Sequence, residues 1–165
     1  MNDHEDDTVS NHSSFMEQAI ETAIKGVLSN DGGPFGCVIV KDGKIIGTGN
    51  NKVTSTNDPT AHAEIIAIRE ACKHLNSFQL DGCILYTSCE PCPMCFGAIY
   101  WARPEKVFYA CDKTDAAKIG FDDDFIYKEL DLKLSNRSIP FEQINKENAM
   151  KAFNAWEDKD DKIAY

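Results

Sequence analysis

The dipeptide Asp42-Gly43 stands between two short apolar runs, Phe35 to Lys41 and Lys44 to Asn50. A two-residue hairpin turn favours residues that tolerate positive φ, as Asp and Gly do, so the two runs pair antiparallel and open a sheet. Downstream the apolar period alternates. Pro59 suits the first position of a helix whose apolar set Ile65, Ile66, Ile68 and Ala71 runs to about Leu75, and Cys83 to Ser88 is a compact β-type run. Met94, Ala98 and Trp101 mark a second helix closed before Pro104, and Lys106 to Cys111 reads as another strand. Strand, strand, helix, strand, helix, strand implies one mixed sheet with helices packed on its faces and its later strands parallel.

The flanks are less regular. Ser14 with Glu17 forms a capping box ahead of the stripe Phe15, Ala19, Ala23 and Val27, with Ile20, Ile24 and Leu28, which predicts a first helix to about Ser29. Residues 1–12, rich in Asp, Asn and Ser, read as a disordered leader that takes His4 and His12 with it, and residues 13–165 read as a single domain. Beyond Lys113 the pattern loosens into short helical pieces, an extended stretch near Ile139 to Ile144 and a helix over Glu147 to Trp156. Phe153 and Trp156 need cover, from the chain's own sheet or from a second subunit.

Charge and cysteine usage narrow the function. The chain carries 17 Lys and Arg against 27 Asp and Glu, a net charge of −10, and an acidic surface repels polyphosphate backbones, so nucleic acid is a poor partner. Charged or amide residues interrupt every apolar run well before the roughly 20 residues of a membrane helix. The seven cysteines, Cys37, Cys72, Cys83, Cys89, Cys92, Cys95 and Cys111, are odd in number and lie mostly in apolar runs without a signal segment ahead of them. A reducing, cytoplasmic setting follows.

Cys92 and Cys95 are three apart at the start of a helix, where the positive dipole end favours thiolate. Apart from Cys89 just ahead of this pair, no Cys-x-x-Cys exists elsewhere, so the third ligand is expected from His62, thirty residues upstream at the start of another helix. Three protein ligands leave an opening for water, which a structural zinc with four ligands does not. Glu64, two residues beyond His62, then lies beside the opening and can take a proton from water whose pKa zinc lowers to about 7. An iron–sulfur run is disfavoured because Ile99 stands where a fourth cysteine would fall, and Cys89 reads as a buried bystander. A thioredoxin-like use of Cys92 and Cys95 leaves His62 and Glu64 unexplained, and His74 reads as a complement to a helix C-terminus. His62-x-Glu64 followed by Pro91-Cys92-x-x-Cys95 is the signature of zinc-dependent base deaminases.

Longer segments carry a closer likeness. Gly32 to Gly36, Asn57 to Glu64, Tyr86 to Cys95, Gly120 to Asp123 and the final Tyr165 make the chain resemble bacterial guanine deaminases of the cytidine deaminase superfamily along nearly its whole length after the leader. The resemblance implies a three-layer α/β/α fold, one zinc per subunit and hydrolysis of guanine to xanthine and ammonia. It also implies a homodimer whose exchanged C-terminal segments each close the partner's site. Substrate contacts are implied for Asn51, Phe35, Ala63, Trp101, Asp123 and Tyr165. Asp123, one of three successive carboxylates with Asp122 and Asp124, is implied as a second acid beside Glu64. Guanine offers N1–H and an exocyclic amine as donors, which suits an ionised aspartate, whereas adenine offers N1 as an acceptor. Guanosine, cytosine or tRNA adenosine deamination on the same zinc site, and a zinc-stabilised module without turnover, are the competing readings.

Overall fold

The computed structural model describes residues 3–165. Its elements are α1 (Asp3–Leu28), β1 (Gly36–Lys41), β2 (Lys44–Asn50), α2 (Val53–Thr56), α3 (Ala63–Leu75), β3 (Cys83–Cys89), α4 (Pro93–Ala102), β4 (Lys106–Cys111), α5 (Lys113–Lys118), α6 (Asp124–Asp131) and α7 (Lys146–Glu157). A 3₁₀ turn, Leu134–Asn136, lies between the last two. The chain forms two compact units, Met1–Asp123 and Asp124–Tyr165. Neither α6 nor α7 has a buried residue.

The first unit holds a four-stranded sheet in the order β2-β1-β3-β4. β1 pairs antiparallel with β2 and β3, and β3 pairs parallel with β4, so the sheet is mixed as expected. The hairpin turn has φ of 50° at Asp42 and 71° at Gly43, the positive values that a tight connection matching strand twist requires. Side chains of the central strands alternate between two buried faces. Cys37, Ile39, Cys83 and Leu85 pack with Ala63, Ala67 and Ala71 of α3 and with Ile99 and Ala102 of α4. Val38, Val40 and Tyr86 point the other way, onto Ala19, Phe15 and Met16 of α1. Helix, sheet and helix pair make three layers.

The first helix is longer than its apolar stripe predicts. Once the Phe15–Leu28 segment is nucleated on the sheet, each further residue adds a backbone hydrogen bond, and the helix reaches back to Asp3 through residues read as leader. The part of that expectation falling on Met1 and Asn2, and on the side chain of His4, lies outside the described residues. His12 is not a leader residue: its Nδ1 is 2.6 Å from the Tyr86 hydroxyl and its ring centroid 4.5 Å from that of Phe108. At the other end, residues 140–145 take no regular secondary structure and Asn145 has φ of 54°, whereas α7 matches the predicted helix to within a residue at each end.

Main-chain contact sets the spacing of α3 on β2. A Cβ built on Gly49 would lie 2.2 Å from the Ala63 carbonyl oxygen and 2.7 Å from the Ala67 nitrogen. Only glycine admits this approach, and it places the first turn of α3 directly against the end of β2.

Candidate active site

α3 starts later than Pro59 suggests. The Lys52 N–H donates to the Ala61 carbonyl at 2.9 Å, which ties residue 61 to the end of β2 and holds the chain extended until helix can begin at Ala63. Asp58 closes its own turn instead, with Oδ1 accepting from the Thr60 N–H at 2.8 Å and the Thr60 hydroxyl at 2.7 Å. His62 is therefore the N-cap, with φ −74° and ψ 156°, and Glu64 the second residue of the helix. This resolves the difficulty of a two-residue spacing, since only one of the pair sits on the helical screw. The imidazole leaves from the helix end while the carboxylate turns inward. α4 is built the same way: Cys92 is its N-cap, Pro93 its first residue and Cys95 its third, and Arg103 ends it with φ of 55° ahead of Pro104.

These two helix starts converge. His62 Nδ1 lies 3.5 Å from the sulfur of Cys92 and 3.5 Å from that of Cys95. A tetrahedral zinc with bonds of about 2.0 Å to nitrogen and 2.3 Å to sulfur spaces such atoms by about 3.5 to 3.8 Å, so the donor set fits that ion in chemistry and in size. His62, Cys92 and Cys95 are the group of metal-ligating type among the described residues, and no fourth side chain joins them. The bystander Cys89 is buried elsewhere, its sulfur 3.6 Å from the Asp112 carbonyl.

Glu64 is buried beside the ligands. Its Oε2 is 3.4 Å from the Cys95 sulfur, and its Oε1 accepts from the Thr87 hydroxyl at 3.2 Å. Burial is the main force on this carboxyl and pushes it above the ordinary carboxylate range. The Cys92 thiol is drawn down to about 4, chiefly by its hydrogen bond with Cys95, with burial opposing and His62 adding to the fall. Cys95 moves upward, because it shares its proton with Cys92, is buried and faces Glu64. His62 rises through its hydrogen bond to Cys92. The cluster thus holds protons that a cation would displace.

The residues expected to contact substrate divide. Ala63 opens α3 fully buried, and its N–H is among the first-turn donors that a helix leaves without a carbonyl partner. Asn51, 5% exposed, follows β2 directly and donates its N–H to the Phe35 carbonyl at 3.0 Å. The Phe35 ring meets Phe121 edge to face, with centroids 4.9 Å apart. Asp123 is part-buried; burial first, and then the negative charge of Cys92, raise its carboxyl, which ties it electrostatically to the ligand cluster. Trp101 is exposed on α4. It lies six residues past Cys95, about 240° around the helix, and is 62% exposed. Tyr165 belongs to the second unit and is exposed. The sequence reading missed Thr87, whose hydroxyl holds Glu64. A hydroxyl inside a buried strand needs a partner, and that need was the available signal.

Residues 9–111 match the family model for the cytidine and deoxycytidylate deaminase zinc-binding region. The chain belongs to this family. Among its relatives in the deaminase family, guanine deaminase of Bacillus subtilis (strain 168) is 59% identical over 155 residues, covering 94% of this chain and 99% of that protein. The X-ray structure of guanine deaminase from Bacillus subtilis superposes with a TM-score of 0.91 at 58% identity, over 93% of this chain and 98% of that one. A tRNA-specific adenosine deaminase of Aquifex aeolicus (strain VF5) is 42% identical over 117 residues, 70% of this chain and 74% of that protein. His62, Cys92 and Cys95 are the group here that could hold the family's zinc.

Proposed function

We propose that this protein hydrolyses guanine to xanthine and ammonia. The reading rests above all on one observation: a buried carboxylate, Glu64, stands 3.4 Å from a sulfur of a three-ligand cluster that fits zinc and has no fourth ligand among the described residues. Likeness to a guanine deaminase over nearly the whole of both chains supports the choice of base. Zinc held by these ligands supplies Lewis acidity that lowers the pKa of water to about 7.

The protein's own groups do the rest. As water adds to C2 of the purine, Glu64 takes its proton and passes it to the ring, and the exocyclic amine departs as ammonia once protonated. Thr87 holds Glu64 by one oxygen and leaves the other toward the cluster. Asp123 serves as the second acid and accepts from the guanine donors, Phe35 and Trp101 contact the base, and the Ala63 N–H offers a further donor. Adenine, with an acceptor at N1, would leave Asp123 opposed by a lone pair, a mismatch that costs more than a poor apolar fit.

The active form in this reading is a homodimer in the cytoplasm, with C-terminal segments exchanged so that Tyr165 closes the partner's site. Support comes from α7, whose Phe153 and Trp156 are 67% and 46% exposed, and from Tyr165 itself at 70%. Among the described residues no helix is long and apolar enough to cross a membrane. The net charge of −10 argues against tRNA as substrate.

The test is ammonia release from guanine, guanosine, cytosine, adenine and a tRNA anticodon stem by the zinc-loaded protein. Guanine is expected to lead by at least about tenfold, and ammonia from guanosine but not guanine would overturn the assignment. Sedimentation of the full chain and of one ending at residue 123 tests the dimer: the full chain should run as a dimer, and a monomeric full chain with normal turnover refutes the exchange.

A further inference from the structure

The loop that carries Cys92 is stitched to the start of α5. Glu90, two residues ahead of that ligand, donates its N–H to the Cys111 carbonyl at 2.8 Å. Its side chain reaches along the same junction, where Oε2 accepts the Lys113 N–H at 3.1 Å. The Cys89 thiol adds a third tie, donating to the Asp112 carbonyl at 3.6 Å. Asp112 takes the next two amides of α5, those of Thr114 and Asp115, on its Oδ1 at 2.8 and 3.0 Å. Of the two carboxylates at this helix start, one is local and the other arrives from the metal-ligand loop.

The far end of α5 is equally constrained. The Gly120 N–H bonds to the Ala117 carbonyl and the Phe121 N–H to that of Ala116, both at 3.0 Å, with φ of 93° at Gly120. Such a pair of bonds around a positive-φ glycine stops a helix and fixes the direction of the chain that leaves it. Phe121 then sets its ring edge to face on Phe35, and a Cβ on Gly33 would lie 2.9 Å from the Phe121 Cζ. Asp123 follows two residues later, part-buried and within the field of Cys92. The path from Glu90 to Phe121 thus runs through hydrogen bonds and one short helix, a bracket that carries a shift at one end to the other.

We propose that Glu90 is a positioning residue for Asp123: its carboxylate holds the start of α5 at a fixed reach from Cys92, and α5 in turn holds Asp123 at the ligand corner. Glu90 itself touches no reacting atom in this account. The inference rests on the reading of Asp123 as the second acid and is indifferent to which base is turned over. The bland alternative is that Glu90 adds stability to a six-residue helix and does no more.

Two variants separate reach from charge. Glu90→Gln loses the charge and keeps an oxygen able to accept the Lys113 N–H, whereas Glu90→Asp keeps the charge and is one methylene too short. In zinc-loaded protein we expect kcat on guanine within about threefold of wild type for Glu90→Gln and lowered at least about tenfold for Glu90→Asp, with zinc content unchanged in both. A double-variant cycle then locates the loss. Asp123→Asn alone should lower kcat at least about a hundredfold. Adding Glu90→Asp to it should cost less than about threefold more, because a group already removed cannot be misplaced, whereas a purely stabilising role would multiply in both backgrounds. A Glu90→Asp enzyme within about threefold of Glu90→Gln, or a larger further loss beside Asp123→Asn, overturns the proposal. Loss of zinc from Glu90→Asp overturns it too, by placing the effect on the ligands. Should Glu90→Asp fail to fold, Glu90→Ala takes its place under the same limits. Failure of the Asp123 reading is seen separately, as turnover within about tenfold of wild type in Asp123→Asn whatever the Glu90 variants do. If the wild type releases no ammonia from guanine, kcat is measured on the base it does turn over.

Discussion

Replacing Glu64 by glutamine changes the chemistry of one oxygen and little else. The side chain is 5% exposed and the two residues are nearly isosteric, so the pocket keeps its shape. The Gln carbonyl can take the Thr87 hydroxyl bond that Oε1 accepts at 3.2 Å, and the NH₂ then occupies the position of Oε2, 3.4 Å from the Cys95 sulfur. Burial already makes the charged form costly, so its removal should leave the folded state as stable as before or more so. What disappears is the ability to accept a proton. Loss of a positioned general acid/base lowers turnover by about 10² to 10⁴, or about 2.7 to 5.4 kcal/mol on the barrier. The assay is steady-state ammonia release at neutral pH beside metal analysis of the same sample. Zinc should stay at the wild-type level while kcat falls at least a hundredfold. Turnover within tenfold of wild type at full zinc would refute the role, and loss of the metal would show that Glu64 is a ligand and not the proton carrier.

Three further changes probe the supports. Thr87→Val should leave folding and zinc intact and lower kcat about five- to tenfold, the worth of about 1 to 1.5 kcal/mol of hydrogen bonding to Glu64; an unchanged kcat removes Thr87 from the mechanism. Gly49→Ala forces α3 off β2 and should cost about 1 to 3 kcal/mol of stability, read by denaturant unfolding, with turnover falling alongside; a variant as stable and active as wild type contradicts the close approach. Asp112 caps α5 through bonds from the Thr114 and Asp115 amides, and the Thr114 hydroxyl first, with those amides adding to it, holds its carboxyl below the usual range. Its contribution is present above the unfolded-state pKa of about 3.9 and fades as pH falls through the lower folded value. Faster amide exchange in α5 of Asp112→Ala should therefore be evident at pH 7 and vanish in acid, and a difference that persists there would be inconsistent with capping by the carboxylate.

The hairpin, the succession of strands along the chain and both helices behind the ligands were legible because each is announced by local chemistry: Asp42-Gly43, the switches of apolar period, and prolines at the element ends. His62, Cys92 and Cys95 were legible for a different reason, since few chemistries need that donor set with a carboxylate two residues on. What the sequence concealed depends on contacts between distant segments. Helix α3 starts at Ala63 and not at Pro59 because Ala61 is tied to Lys52, a bond no local pattern displays. His12 was read as leader because the residues around it are polar, while its partners Tyr86 and Phe108 arrive from two strands. Thr87 looked like one more residue of a β run until Glu64 was seen opposite its hydroxyl.

The close seating of α3 on β2 has a consequence for how freely the interior can vary. With no side chain between Gly49 and Ala63, the depth at which the imidazole sits is set by peptide groups, whose dimensions are the same in every sequence. Exchanges among the partly buried residues around it, Ile46, Ile68 or Leu75, can alter the snugness of that layer without pushing the metal-binding corner in or out. The interior can therefore accumulate substitutions while the reacting groups keep ångström-level alignment, and the residues least free to change for this purpose are those that contribute no side-chain atoms at all.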